Sequence, residues 1–208
     1  FKSLHSGIIV PSFAEYEDSC KLYNHQIDFF NRLPNKTKCS LLWIGNPNNP
    51  DGKIYSIEEI EGFLKNNPSS YLIIDEAYIH LAKSVKSAID LLHQYSNIII
   101  IRSFTKIIAI PGIRFGYIIA GKEIIEKVIS VSMPWSVNSL AVEACKYIIH
   151  NKSFIYPDSY VLIEASQQLQ HEINSLPEYS VVLSETTFFL VQLLKESSAT
   201  FQKRLLSN

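Results

Sequence analysis

Short apolar runs alternate along the first 120 residues with segments whose apolar positions recur at helical spacing. Five runs are almost continuously apolar, which is typical of strands buried on both faces of a sheet. They are "GIIVP", "CSLLWIG", "YLIID", "NIIIIRS" and "FGYIIA". Among the helical segments, "SIEEIEGFLKNN" begins with Ser56 and Glu59 at capping-box spacing, and "AIDLLHQYS" and "EIIEKVISV" follow. This alternation predicts a three-layer α/β fold with a mainly parallel sheet.

The pattern changes after about residue 152. A long amphipathic segment, "FIYPDSYVLIEASQQLQHEINSL", leads into the strand-like runs "YSVVL" and "TFFLVQLL". These elements predict the beginning of a small α+β domain over residues 153–208, after a larger domain over residues 1–152. The chain starts at Phe1 rather than methionine and stops at "LLSN" without an obvious closing element. We therefore expect a fragment of a longer protein.

Composition narrows the range of partners. The 208 residues are 47% hydrophobic, enough for a substantial core, and 19 basic against 20 acidic residues leave a net charge of −1. The chain lacks the basic excess typical of proteins that bind nucleic acid or anionic membranes, so a small-molecule partner is favoured. The three cysteines, Cys20, Cys39 and Cys145, indicate neither a disulfide framework nor a zinc site. No apolar run approaches the roughly 20 residues needed to span a bilayer, and we expect a cytoplasmic protein.

Polar side chains follow three consecutive predicted strands, where open parallel sheets bind their ligands. They are Asn46, Asn48 and Asn49, then Asp75 and Glu76, then Ser103 and Lys106. Taken singly, "NPNNPDG" is most simply a turn, Asp75 a helix cap, Lys106 a surface lysine, and Arg114 the partner in a structural ion pair. Their ordered occurrence at the end of buried strands favours a binding site instead.

The motifs "NPNNPDG", "IIDEAY" and "SFTK" followed by "PGIRFGY" resemble the cofactor-binding signatures of fold-type-I pyridoxal-phosphate enzymes. The resemblance covers roughly residues 8 to 150 and is to the branch that contains histidinol-phosphate aminotransferase. Two further stretches, "PSFAEY" and "MPWSVNSLA", look most like the threonine-phosphate decarboxylases of that branch. The resemblance implies the large domain of that fold and a pyridoxal 5′-phosphate cofactor.

The resemblance also implies roles for four polar residues. Lys106 would attach the cofactor covalently, since a lysine amine can form a Schiff base with an aldehyde. Arg114, returning on the next strand, and the Ser103 hydroxyl would bind the cofactor phosphate. Asp75 would keep the pyridine nitrogen protonated, so that the ring accepts an electron pair from the substrate.

Three other positions complete the expected cofactor site. Asn49 and Tyr78 match residues that hydrogen-bond the phenolic oxygen of the ring and tune its imine. Phe13 matches the aromatic residue that stacks on the ring, although an ordinary core position is its alternative. Gly112 and Gly116 would allow the backbone to pass close to the cations.

Three functions remain open. The first is decarboxylation of L-threonine O-3-phosphate to aminopropanol phosphate in cobalamin biosynthesis, and the second is transamination of histidinol phosphate or a related amino acid. The third is a non-catalytic binding protein of the same fold. The loop containing Trp135, Ser136 and Asn138 is expected to help form the substrate pocket, or else to be a turn with Ser136 as a helix N-cap. The resemblance implies a homodimer and further substrate-binding residues outside this chain.

Overall fold

The sheet follows the predicted α/β order. A computed structural model describes residues 4–151 and 159–207. Its larger sheet has the strand order β2-β1-β3-β4-β5-β6, with β6 antiparallel to β5 and all other neighbours parallel. The strands are β1 His5–Ile9, β2 Gln26–Phe30, β3 Leu41–Gly45, β4 Tyr71–Asp75, β5 Ile98–Ser103 and β6 Gly116–Ala120. The prediction of a mainly parallel sheet is confirmed.

Strand β2 was not predicted from the sequence. It lies at the edge of the sheet, and its segment "QIDFF" is partly or fully exposed at every position. An edge strand is covered less completely than a central one, so it lacks the continuous apolar run that reveals the other strands.

Helices α1 Ala14–Leu22 and α2 Ile57–Asn66 pack on opposite faces of this sheet. The larger unit also contains α3 Phe104–Ile107, α4 Lys122–Val131 and α5 Ser139–His150. Helix α2 begins with the predicted capping box, in which Ser56 and Glu59 exchange side-chain and backbone hydrogen bonds. One face buries Leu42, Ile74 and Ile100 beside residues of α2, and the other buries Ile8 beside α1.

The segment predicted as a helix from "AIDLLHQYS" forms only a 3₁₀ helix, Ala88–His93. Its start is held by the buried Glu76, whose carboxylate accepts hydrogen bonds from the Ser87 hydroxyl and the Ala88 amide. Strand β5 begins five residues after His93, so the connection is short. Such short connections commonly use 3₁₀ geometry.

The last part of the chain forms a second, smaller unit. Its elements are α6 Ser159–Asn174, the antiparallel pair β7 Tyr179–Val182 and β8 Leu190–Leu193, and α7 Ser198–Leu206. The predicted boundary near residue 152 lies outside the described residues. No helix within residues 4–151 and 159–207 combines the length and the apolar character needed to cross a bilayer.

The turn between β7 and β8 docks on the larger unit. Thr186 forms a β-bridge with Ala82, and the Lys83 amide donates to the Glu185 carbonyl at 3.0 Å. Beside this contact, Gly52 has φ +68°, and a side chain there would collide with Ser184. The turn after β3 therefore needs glycine for both its conformation and its packing.

Candidate active site

A cavity of about 220 Å³ lies at the carboxyl ends of β3, β4 and β5. This is the edge at which open parallel sheets bind ligands. The cavity wall includes all seven predicted site residues: Phe13, Asn49, Asp75, Tyr78, Ser103, Lys106 and Arg114. The fold therefore brings together four segments that are well separated in the sequence.

Asp75 is the last residue of β4, and both of its carboxylate oxygens are held. Oδ2 accepts a hydrogen bond from the Tyr16 hydroxyl at 2.8 Å, and Oδ1 accepts one from the Ala77 amide at 2.9 Å. Burial raises the pKa of the Asp75 carboxyl group, while these two hydrogen bonds and the positive charge of Lys106 oppose the rise. A cation bound in the cavity would favour the ionised carboxylate further.

Tyr16 is a cavity residue that the sequence reasoning did not single out. Its ring stacks on Trp43 at a centroid distance of 5.2 Å and meets Phe13 edge to face at 5.9 Å. Burial and the neighbouring Asp75 carboxylate raise the pKa of Tyr16, so its hydroxyl remains a donor. The available signal was the three-residue spacing of Phe13 and Tyr16 in "PSFAEY", which places both side chains on one side at the start of α1.

Phe13 borders the cavity with 46% of its surface exposed. It is therefore not a core residue in this chain, which was the alternative considered for it. Its role as a stacking partner remains a prediction.

We expect Tyr16→Phe to lower the free energy of unfolding by about 1 to 3 kcal/mol at neutral pH, because the ionised Asp75 loses a hydrogen-bond donor. The Tyr16 hydrogen bond lowers the pKa of Asp75, so its contribution is present above that pKa and disappears as the pH falls through it. Urea denaturation at several pH values measures this. Tyr71→Phe, at a position far less buried than Tyr16, is the control. An equal loss at acidic pH would show that the effect does not depend on the charge of Asp75.

Ser103, Thr105 and Lys106 are presented by the end of β5 and the short helix α3. Ser103 caps that helix by accepting from the Thr105 amide, and the two hydroxyl oxygens lie 2.7 Å apart. Lys106 Nζ lies 5.5 Å from the centroid of the Tyr78 ring. Thr105 was missed by the sequence reasoning, although its position between Ser103 and Lys106 in "SFTK" places a second hydroxyl beside the lysine.

The position of Arg114 corrects one expectation. Arg114 precedes β6 rather than lying on it, and it adopts a left-handed conformation with φ +53° at the end of the 3₁₀ turn Pro111–Ile113. Both Arg114 and Lys106 are exposed, although the residues around them in the sequence are mostly apolar. Solvent therefore stabilises both charges, and neither pays a large cost of burial.

The two glycines near these cations differ in their role. A side chain at Gly116 would lie 2.7 Å from the backbone oxygen of Arg102, so the close approach of β6 to β5 requires glycine. At Gly112 a side chain would meet nothing within 4 Å, so no contact among the described residues requires glycine there.

Most of the other polar residues after the strands are structural. Asn46 binds both backbone groups of Tyr55, and Asn48 donates to the Pro11 carbonyl at 2.8 Å. Glu76 is buried and pairs with Arg102 at 2.8 Å. Of the three asparagines in the first cluster, Asn49 is therefore the one that borders the cavity.

The second unit also reaches the site. The Phe188 ring packs against the Tyr78 ring at a centroid distance of 4.6 Å. In the sequence Phe188 stood out only as part of a strand-like run. The contact links the orientation of Tyr78 to the turn before β8.

The loop before α5 does not form part of the cavity wall. Trp135 is 96% exposed, and Ser136 is also exposed. Asn138, not Ser136, caps α5 by accepting from the Ala141 amide, and its side-chain nitrogen donates to the Ile113 carbonyl. Asn138 thus supports the turn that precedes Arg114, and the expected substrate pocket is not formed by this loop within the described residues.

The sequence profile of aminotransferases of class I and II matches residues 8–208. The chain belongs to this family. It is 29% identical over 201 residues to histidinol-phosphate aminotransferase 1 of Carboxydothermus hydrogenoformans, covering 96% of this chain and 55% of that protein. The chain thus spans about half the length of this curated relative.

Two crystal structures resemble the chain closely. That of L-threonine-O-3-phosphate decarboxylase from Porphyromonas gingivalis is 32% identical, with a TM-score of 0.92 over 99% of this chain and 65% of its own. That of histidinol-phosphate aminotransferase from Clostridium acetobutylicum is 30% identical, with a TM-score of 0.87 over 98% and 66%. The fold-type-I prediction is confirmed.

Members of the family bind pyridoxal 5′-phosphate, and the cavity has a donor set that fits this cofactor. Lys106 offers an amine for the aldehyde, and Asp75 a carboxylate for a cationic ring nitrogen. Arg114 and the hydroxyls of Ser103 and Thr105 offer groups that bind phosphate. The cavity thus contains a group suited to each reactive part of the cofactor.

Proposed function

We propose that the full-length protein is a pyridoxal-phosphate-dependent decarboxylase that acts on L-threonine O-3-phosphate and forms aminopropanol phosphate for cobalamin biosynthesis. The observation that carries this proposal is the close match of backbone and sequence to the decarboxylase from Porphyromonas gingivalis across nearly the whole chain. The cavity supports the cofactor part of the proposal through the donor set described above.

The roles of the chain's residues follow from their chemistry. When bound, the cofactor supplies an electron sink for charge that develops at the substrate α-carbon. Asp75, oriented by Tyr16 and Ala77, would pair with the positive ring nitrogen. Lys106 would bind the aldehyde of the cofactor, and its amine could deliver a proton to the substrate α-carbon after carbon dioxide leaves. Arg114 would bind the cofactor phosphate.

Further residues would hold the cofactor. The hydroxyls of Ser103 and Thr105 would bind the phosphate, and Phe13 would cover one face of the ring. Asn49 and Tyr78 would bind the phenolic oxygen. These contacts orient the cofactor without choosing which bond of the substrate breaks.

Transamination of histidinol phosphate is the second candidate. The curated relatives with this name favour it, among them the protein from Carboxydothermus hydrogenoformans. Both reactions can use Lys106, Asp75 and Asn49, because selection depends on which α-carbon substituent is held perpendicular to the cofactor ring. Residues that make this choice contact the substrate rather than the cofactor.

The reaction type can be tested with the products of the full-length protein. We expect threonine phosphate to yield carbon dioxide and aminopropanol phosphate in equal amounts without any 2-oxo acid. Mass spectrometry and a carbon dioxide assay measure the two products, and Lys106→Ala protein gives the background. Formation of glutamate from 2-oxoglutarate in proportion to histidinol phosphate consumed, with no aminopropanol phosphate, would establish the aminotransferase instead.

We further propose that the protein works as a homodimer in the cytoplasm. Apolar residues are exposed on the loop before α5, including Met133 at 79% and Trp135 at 96%. Such exposure is typical of surfaces that are covered in an assembly. Sedimentation of the full-length protein tests the dimer.

A further inference from the structure

Three potential metal ligands meet at the amino-terminal side of the larger sheet, away from the cavity. His5 begins β1, Asp28 lies on β2, and Cys39 precedes β3 by two residues. Asp28 is paired with Gly7, and a Cβ at Gly7 would lie 3.3 Å from Cys39 Sγ. Because residues two apart on a strand share a face, His5 and Gly7 point the same way. The space that a side chain at Gly7 would take is filled by Leu42 and Phe30, with Cys39 Sγ beside them.

The distances suit a tetrahedral ion after small side-chain movements. His5 Nε2 lies 2.8 Å from Asp28 Oδ2, and Cys39 Sγ lies 3.9 Å from the same oxygen. All three ligand atoms are within 4.8 Å of one another. With the usual bond lengths to Zn²⁺, tetrahedral ligands lie about 3.4 to 3.6 Å apart. This arrangement requires the imidazole and the carboxylate to move apart by about 0.6 Å and the thiol to move closer to both of them.

The imidazole of His5 already faces the carboxylate that would share the ion. Its Nε2 atom lies 2.8 Å from Asp28 Oδ2, at ion-pair distance. A metal ion between the two groups would replace this ion pair by one bond to each of them.

The cluster is also accessible and balanced in charge. The side chains of His5 and Asp28 are 26% and 47% exposed, which leaves a route from solvent. One thiolate and one carboxylate neutralise the two charges of Zn²⁺, and neutral imidazole completes the protein ligands. Nitrogen, oxygen and sulfur ligands in tetrahedral geometry select zinc over calcium or magnesium.

We propose that His5, Asp28 and Cys39 form a zinc-binding site, with water as the fourth ligand. Cys39 releases its thiol proton to the buffer when Sγ binds the ion. The ion joins β1, β2 and the segment entering β3, and so stabilises the edge of the sheet that lies far from the cofactor cavity. Since the folded chain brings these ligands together, zinc binding favours the folded state.

Equilibrium dialysis of the chelator-treated, full-length protein against Zn²⁺ tests the site. We expect one ion per chain and an increase in the midpoint temperature of thermal unfolding. Zinc-edge X-ray absorption should show one sulfur neighbour at about 2.3 Å and nitrogen or oxygen neighbours at about 2.0 to 2.2 Å. These readouts do not depend on enzymatic activity.

Variants identify the ligands. We expect zinc binding to weaken by more than about tenfold in each of three variants, Cys39→Ser, His5→Gln and Asp28→Asn. Even the loss of a residue that only hydrogen-bonds a metal ligand lowers metal affinity by about that factor. Because the Asp28 side chain is about half exposed, Asp28→Asn should leave the fold intact. Circular dichroism of each variant checks that it is folded. Cys145→Ser is the matched control and should bind zinc normally. An absorption spectrum without sulfur, or unchanged zinc binding in His5→Gln and Asp28→Asn, would overturn the proposal.

Discussion

Replacement of Lys106 by alanine is expected to reduce turnover of the full-length protein by at least about a hundredfold. A positioned proton-transfer group alone contributes about 10² to 10⁴ in rate, and covalent attachment of the cofactor is lost in addition. Lys106 is the lysine that borders the cavity within the described residues. The variant should still bind the cofactor through the phosphate and ring contacts. Steady-state rates and cofactor absorbance measure the two effects separately.

Chemical labelling provides the control for this assignment. We expect borohydride reduction of the yellow, cofactor-bound protein to fix the label on the peptide that contains Lys106. Lys122, which is highly exposed on α4, is the matched variant, and Lys122→Ala should retain full activity. Recovery of the label on Lys122 or Lys127 would refute the assignment. Normal turnover by Lys106→Ala would do the same, and a wild-type protein without any turnover would favour the non-catalytic alternative.

Asp75→Asn is expected to lower the turnover rate by at least about tenfold and to weaken cofactor binding. A hydrogen bond to a charged group contributes about 1.5 to 3 kcal/mol, and 1.36 kcal/mol corresponds to a factor of ten in rate. Asparagine is nearly isosteric and keeps an oxygen that can accept from the Ala77 amide. The variant therefore removes the charge while preserving the local turn.

A second variant that also removes one carboxylate tests whether the position of the lost charge matters. Asp90→Asn, at an exposed position of the 3₁₀ helix Ala88–His93, changes the net charge equally and should leave turnover unchanged. Thermal unfolding of both variants checks that they remain folded. Wild-type turnover in Asp75→Asn would show that Asp75 only caps the turn after β4 and has no role in the reaction.

The residues expected to bind the cofactor were accessible from the sequence because each key group follows a recognisable strand. Asn49, Asp75 and Ser103 come after runs whose continuous apolar character marks buried strands. Parallel strands end at the same edge of a sheet, so the order of the strands was enough to place these groups together. Their placement around one cavity agrees with that reasoning, while their individual roles remain predictions.

Weak local patterns explain what the sequence reasoning missed. Helix α1 buries only Tyr16 and Cys20, too few apolar positions for a clear helical period. The edge strand β2 is incompletely covered, and the 3₁₀ helix after Ser87 depends on a distant carboxylate from Glu76. In each case the surroundings, rather than the segment itself, determine the conformation.

By itself the sequence determined the α/β order, the strand-end motifs and the family of this protein, since periodicity and motif spacing are local properties of the chain. Only the tertiary structure decided which distant side chains meet. Tyr16 reaches Asp75 across 59 positions, Phe188 packs on Tyr78, and His5 approaches Asp28. These contacts depend on strand register and helix orientation, which are determined by packing the whole sheet and cannot be read from any one segment.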